Sequence, residues 1–368
     1  MKRANNLWPQ IISPTNIDIA LTQAARHKTH RRDVQSCIKS RDVLTRQLAI
    51  DLKRGNFTPC QPKEMIIFDG PTGKQRTILK PRFYPDQLVH QLLITAIEPS
   101  LMRGMYQYSC GSIPKRGASY GQKAVRKWLD NDPRNTKYCL KMDVSKFYPS
   151  IDNENLKRKF RTIIKDKKVL WLIDRIVDTQ QGQAIGYYTS QWFANFYLQD
   201  FDHYVKEKLG AKYYVRYVDD LVILGQNKKT LHKMRERITA YLANEGLTTK
   251  PNWQVFKIAK LTPSGTHFKR GQTPNEYRGR AIDFLGLKFY RDNTTLRRKN
   301  VLRIKRRVKK INRKGELNFH DACAIVSYHG WMTRSNSKHL YITHIKPVVT
   351  IGEAKRRIRH ESLRKNRE

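Results

Sequence analysis

The sequence predicts an α+β fold built on a ferredoxin-like βαββαβ unit. Three observations lead there. Apolar extended runs alternate with helical runs across residues 138–290. One of those runs is a hairpin, KYYVRYVDDLVILG at 212–225, interrupted by two adjacent acids. At 368 residues the chain can bury more than one core.

The elements follow in order. Residues 1–60 have helical periodicity, the apolar run Val43, Leu44, Leu48, Ile50, Leu52 and many cations (Arg26, His27, Lys28, Arg31, Arg32). MIIFDGPTGKQRTILK, within 61–80, reads as two extended runs around a Gly/Pro turn. Leu88, Leu92, Ile94, Ile97 and Leu101 predict an amphipathic helix over 86–103, and a Gly- and Arg-rich loop with Lys115 and Arg116 precedes a helix over about 119–130. YCLKMDV (138–144) is strand-like, with helices near 153–165 and 169–178 and a longer one from Thr189 to about Lys208. Leu231, Met234, Ile238, Tyr241 and Leu242 predict a helix over 228–245, and AIDFLGLKFY (281–290) is read as the closing strand. The polar stretch 259–280 reads as a local insertion. Val301, Ile304, Val308 and Ile311 predict a basic amphipathic helix, and the final KRRIRHESLRKNRE reads as frayed or RNA-bound.

Charge narrows the function. Lys+Arg number 73 against 31 Asp+Glu, a net of +42, and residues 297–368 alone hold 21 cations and 5 acids. A folded chain with that charge repels itself unless a polyanion is its partner. Cations interleaved with Tyr and Phe favour nucleic acid, bound by phosphate contacts plus stacking. With 39% hydrophobic residues the chain is too apolar for a disordered basic tail. No run of 18 apolar residues exists and the N-terminus lacks an apolar signal core, so an intracellular chain with no membrane partner is expected. The five cysteines (Cys37, Cys60, Cys110, Cys139, Cys323) lie too far apart for a CxxC-type zinc site.

Against this basic background the acids Asp143, Asp219 and Asp220 stand out. A ferredoxin-like sheet brings the end of its first strand beside the hairpin between its second and third. Carboxylates about 4 Å apart repel unless cations lie between them, and a pair of Mg²⁺ ions is the common solution in phosphoryl transfer. Any one Asp alone is more simply a turn residue or cap; an acidic pair between two apolar strands needs compensation.

At these residues the chain resembles reverse transcriptases. Tyr217-Val218-Asp219-Asp220 matches their YxDD box, and Asp143-Val144-Ser145-Lys146-Phe147-Tyr148-Pro149-Ser150-Ile151-Asp152 matches the first palm motif. Gly186-Tyr187-Tyr188-Thr189-Ser190-Gln191 matches the box between them; Gly246-Leu247 with Lys250, and Phe284-Leu285-Gly286-Leu287, match those that follow. The resemblance runs from about residue 62 to 340 and implies a right-hand polymerase fold: fingers at 61–137 after a basic helical region at 1–60, a palm at 138–290 with a fingers insertion at about 153–185, and a short basic helical thumb and tail at 291–368.

The resemblance also implies roles. Asp143 and Asp219 would bind two Mg²⁺ (or Mn²⁺) with the Val144 carbonyl assisting, and Asp220 would be the more peripheral carboxylate. Lys74 and Arg76 would meet the dNTP triphosphate, and Tyr148 would be the gate against a ribose 2′-OH. Lys250, with Lys257 competing, would be the lysine that protonates pyrophosphate. Ile185, Gly186 and Gln191 would contact the nascent pair, the bare Gly186 backbone letting it approach. Phe284, Leu285 and Gly286 would be the primer grip. Lys115, Arg116, Arg306, Arg307 and Lys310 are assigned to nucleic-acid phosphates.

Within the family, Ile185-Gly186-Tyr187-Tyr188-Thr189-Ser190-Gln191, followed by Trp192-Phe193-Ala194-Asn195-Phe196-Tyr197-Leu198, is similar to the reverse transcriptases of diversity-generating retroelements, where other groups read Gln-Gly-x-x-x-Ser-Pro. Asn252-Trp253-Gln254-Val255-Phe256 also looks like that group. This implies misincorporation at template adenines, a structured template RNA, an RNA–cDNA duplex, a small basic oligomeric accessory protein and the cytoplasm of a bacterial or phage-infected cell. A retron enzyme is less expected, for want of a Val-Thr-Gly signature. The alternatives are a reverse transcriptase of an antiphage system using a noncoding RNA and, in a different class, a catalytically silent RNA-binding protein.

Overall fold

The computed structural model describes residues 2–69, 74–263, 272 and 274–365. The chain divides into two compact units. The first comprises residues 1–113, 143–210 and 236–251; the second comprises 114–142, 211–235 and 252–368.

The first unit is helical around Leu88–Arg103, whose Leu88, Val89, Leu93, Ile94 and Ile97 are fully buried. The N-terminal region forms the helices Trp8–Ile12, Pro14–Ala25, Arg32–Lys39 and Arg41–Arg54. Proline within the first turn starts the first two, where a missing N–H costs nothing. Asp166 fastens this region to the later chain. One of its carboxylate oxygens accepts from Leu7 N and Trp8 N, each at 3.0 Å, and the other caps the helix Lys167–Val177. Strands β1 (Lys63–Asp69) and β2 (Lys74–Lys80) pair antiparallel, Lys63 opposite Lys80. The turn expected between them, at 70–73, lies outside the described residues. A two-residue strand, β3 (Ser109–Cys110), follows.

In the second unit lies the sheet that the sequence predicts. Its strands are β4 (Tyr138–Asp143), β5 (Tyr213–Tyr217), β6 (Asp220–Gly225) and β7 (Gln254–Lys257). Neighbours run β5-β6-β4-β7, the strand order of a ferredoxin-like unit. Leu221, Val222, Ile223 and Leu224 are all buried, so both faces of β6 are covered. The helix Lys228–Asn244 occupies the expected place after the hairpin.

Three expectations need correction. The closing strand of the βαββαβ unit is β7, not 281–290: the latter is a hairpin, β8 (Ile282–Phe284) and β9 (Leu287–Phe289), in a separate sheet ordered β10-β9-β8 with β10 at Thr294–Leu296. Leu285 (φ +49°) and Gly286 (φ +90°) break the apolar run into a two-residue turn. The helix expected from Thr189 to Lys208 is broken at Leu198 into Tyr188–Tyr197 and Gln199–His203, and ends in a wider turn, Tyr204–Lys208. The C-terminal stretch is not frayed over its described residues, which end at 365: Ile351–Lys365 is a helix with Ala354 buried, its start tied down by Thr350 N donating to Glu353 at 2.7 Å. Part of the 259–280 insertion, residues 264–271 and 273, lies outside the described residues.

Two positions of the first unit make testable demands. His90 is fully enclosed, tilted on the Tyr187 ring at 4.9 Å, and burial pushes its pKa down to about 3. The unfolded chain takes up a proton near pH 6.5 that the folded chain refuses, so stability is complete above that pH and falls as pH drops towards 3. Urea unfolding between pH 7 and 4 should therefore lose about 1.4 kcal/mol per pH unit more in wild type than in His90→Phe; equal slopes would mean that the proton binds elsewhere. Gly186 has φ +120°, and a Cβ there would sit 2.3 Å from the Leu79 carbonyl oxygen. Gly186→Ala should cost at least about 2 kcal/mol, read from the same unfolding curves.

Candidate active site

The acidic box is a two-residue hairpin turn. Tyr217 pairs with Asp220, leaving Val218 and Asp219 at the tip. Val218 has φ +57°, a conformation that a β-branched residue opposes by about 1–2 kcal/mol. Arg216 offsets this. Its side chain is fully buried, an expensive position for a guanidinium, and Nη1 donates to the Val218 carbonyl at 2.9 Å. Asp219 and Asp220 are half-buried at the end of this turn.

Asp143 is the last residue of β4, where the chain enters the first unit. Just beyond it Val144 bridges to Thr249, with Ser145 N on the Thr248 carbonyl at 2.7 Å and Lys250 N on the Asp143 carbonyl at 2.8 Å. This zipper brings Lys250 Nζ to Asp143 Oδ2 at 2.6 Å. Oδ1 of the same carboxylate is buried without a hydrogen-bond partner among the described residues. Of the two lysines expected to compete, Lys257 instead donates to the Asn275 carbonyl at 2.7 Å.

The second acid also meets a lysine. Lys141 Nζ lies 3.7 Å from Asp220 Oδ2 and donates to the Asp283 carbonyl in β8. Asp143 and Asp220 therefore each have an ammonium beside them, an arrangement that a divalent cation would replace with stronger attraction. Among the described residues no group of three or more His, Cys, Asp or Glu is close enough to hold a metal ion. The donor set that fits one is acidic oxygen, with Asp143 Oδ1 among the oxygens still to be satisfied.

The Leu285-Gly286 turn is held from two sides. Gln122 Nε2 donates to the Leu285 carbonyl at 2.8 Å, and Asn300 Nδ2 to the Gly286 carbonyl at 3.1 Å. Both side chains are buried. The hairpin is thus the second one here with a bulky apolar residue in the left-handed region, and such strain concentrates at functional sites.

In the first unit, Ile185 and Gly186 dock on β2: Leu79 N donates to the Ile185 carbonyl at 2.8 Å. The missing side chain of Gly186 is required by the Leu79 carbonyl, where the sequence reading assigned it to approach of the nascent pair. Gly186 and Gln191 line a cavity of about 600 Å³ with Arg26, Lys28, Arg31 and Lys80. Lys28 is pushed below its ordinary pKa by burial and then by the Arg31 charge, as expected where cations gather to meet an anion. Tyr148 is half-buried beside Phe147, ring centroids 5.7 Å apart, and its carbonyl accepts from Gln183 N at 2.8 Å.

The remaining candidates divide. Arg76 is exposed on β2 opposite Ile67, and the side chain of Lys74 lies outside the described ones. Lys115 is exposed and Arg116 half-buried in the loop before the helix Ala118–Asn131. On the helix Arg298–Lys314, Arg306 and Lys310 face out, but Arg307 donates to the buried Asp321 at 2.5 Å. That pairing gives Arg307 a structural task which the sequence reading did not foresee. Lys141, Gln122 and Asn300 were missed altogether. None lies in a box, and each acts through a backbone carbonyl or carboxylate distant in sequence.

Several known proteins are similar to this chain. A family model described as "Reverse transcriptase (RNA-dependent DNA polymerase)" matches residues 68–289. Retron Ec73 reverse transcriptase of Escherichia coli is 27% identical over 248 residues, covering 62% of this chain and 73% of that protein. Among solved structures, telomerase from Candida albicans in complex with a TWJ fragment of telomeric RNA is 12% identical at a TM-score of 0.48, covering 78% of this chain and 55% of that one. Apo telomerase from Candida tropicalis, truncated of its C-terminal domain, is 13% identical at 0.45, covering 67% and 58%. The chain thus spans little more than half the length of those telomerases. No helix among the described residues is long and apolar enough to cross a membrane. With more than half of its length matched by the family model, the chain belongs to the reverse transcriptases, RNA-directed DNA polymerases.

Proposed function

We propose that this reverse transcriptase copies a structured template RNA into cDNA, with Asp143, Asp219 and Asp220 as its catalytic carboxylates. The observation that carries the reading is the pair of strand ends. Asp143 closes β4, Asp220 opens β6, and β4 and β6 are neighbours in one sheet. Fingers at 61–137, palm at 138–290 and thumb at 291–368 remain the domain reading. Two bound Mg²⁺ ions would lower the pKa of the primer 3′-OH and neutralise the leaving pyrophosphate. The chain's own residues do the rest. Asp143 and Asp219 offer oxygens to the metals, assisted by the Val144 carbonyl. Lys250, which donates to Asp143 at 2.6 Å, would supply the proton for the leaving pyrophosphate. Lys74 and Arg76 neutralise the dNTP triphosphate, and Tyr148 crowds the sugar 2′ position. The Phe284-Leu285-Gly286 turn holds the primer, and Lys115, Arg116, Arg306 and Lys310 meet phosphates of the RNA–cDNA duplex. The cation-lined cavity beside Gly186 supports an RNA partner.

Asp143→Asn and Asp219→Asn should each lower primer extension on an RNA template by at least about 10²–10³-fold, while RNA binding in gel shift stays near wild type. Wild-type extension by either variant would remove the carboxylates from the mechanism.

The subtype proposed is that of a diversity-generating retroelement, misincorporating at template adenines and working with a small basic accessory protein. Its support is Ile185 at the position where other groups carry Gln. An apolar side chain cannot reward correct pairing with a hydrogen bond, and each 1.4 kcal/mol of lost discrimination is about tenfold in error. A second reading is cDNA synthesis on a noncoding RNA as in antiphage systems, and a retron reverse transcriptase is among the relatives of this chain. Sequencing cDNA from one defined template separates them. Ile185→Gln should lower the adenine-specific error several-fold; an already low wild-type error would leave the second reading.

A further inference from the structure

Lys141 joins three pieces of the second unit. It lies on β4 two residues before Asp143, so the two side chains rise from the same face of the strand. Its ammonium is 3.7 Å from Asp220 Oδ2 and donates to the backbone carbonyl of Asp283. Asp283 belongs to β8, which runs directly into the Leu285-Gly286 turn. The Asp283 carboxylate is ion-paired with Arg297, the N-cap of the helix Arg298–Lys314, and Arg297 N donates to the Gly286 carbonyl at 3.2 Å. An ammonium has three N–H donors and serves a carboxylate and a carbonyl at once.

We propose that Lys141 is a positioning residue that locks the acidic hairpin to the primer-holding turn, and that its charge competes with the divalent cation for Asp220. This rests on the polymerase reading above. The lock sets where the primer 3′ end lies relative to the reacting phosphate, and such placement is worth orders of magnitude in rate. The competition keeps Asp220 neutralised between metal-binding events.

The two roles give opposite signs on removal. Loss of the ammonium takes the donor from the Asp283 carbonyl, so the grip loosens and primer–template binds less tightly. The same loss takes a cation from Asp220, so divalent ions bind more easily. An ion pair with only a stabilising role would shift the melting temperature and leave both quantities unchanged.

The test uses the full chain with a DNA primer annealed to a defined RNA template. Primer–template affinity is measured by fluorescence anisotropy in EDTA, and extension is then followed across a Mg²⁺ titration. Lys141→Met should weaken binding in EDTA by about tenfold, the effect of one charge-assisted hydrogen bond. It should also lower the half-saturating Mg²⁺ concentration by at least about twofold. Lys141→Arg, with charge and donors kept, should stay within about twofold of wild type in EDTA. Lys141→Gln, a neutral donor, should show the Mg²⁺ shift with a smaller binding loss, and it carries the test if Lys141→Met does not fold. Unchanged affinity in EDTA, or an unchanged or raised Mg²⁺ requirement in both neutral variants, overturns the proposal. A wild-type chain that extends no primer would instead overturn the polymerase reading, while the EDTA comparison still decides the role of Lys141.

Discussion

The hydrogen bond from Arg216 to the Val218 carbonyl is the contact on which the acidic hairpin depends. Left to itself, Val218 would leave the left-handed region and the two-residue turn would open. A slip of one residue in β5–β6 would send every side chain of one strand to the opposite face of the sheet. Asp220 would then no longer meet Lys141, and the link onward to β8 would be lost. Burying a guanidinium is costly, and here it serves the carbonyl of the left-handed Val218.

The sequence was most legible where function sits on contiguous residues. The hairpin at 212–225, the helix after it and the strand ending at Asp143 all carry their signal locally, as runs and turns. Legibility failed where the partner is distant. β7 is four residues long with a mixed pattern, and only its pairing with β4, Cys139 opposite Phe256, makes it the fourth strand. The run 281–290 looks like one strand because nothing in a leucine announces φ +49°; Gln122 and Asn300 impose the turn. Arg307 is one cation among many until Asp321 is beside it.

The excess of cations is organised rather than diffuse. Acids are spent on structure: Asp166 holds two helix starts, Asp321 holds Arg307, and Asp283 holds Arg297. Exposed acids such as Asp42, Glu64 and Glu316 remain, but cations outnumber them in the chain. On the helix Arg298–Lys314 the apolar Ile304, Val308 and Ile311 are buried, so the cations between them face solvent. The cations of this helix face are thus displayed by the fold, while Lys250 pairs with Asp143 and Lys141 with Asp220.

The double support of the Leu285-Gly286 turn has a consequence for biosynthesis. Gln122 leaves the ribosome well before Arg297 and Asn300. Until they do, the turn has only half of its anchors, and the Lys141 ammonium has no Asp283 carbonyl to hold. A nascent chain with its sheet already folded thus still lacks the Asn300 anchor of this turn. Vectorial synthesis from the N-terminus therefore fixes this turn only after the start of the helix that follows β10 has been made.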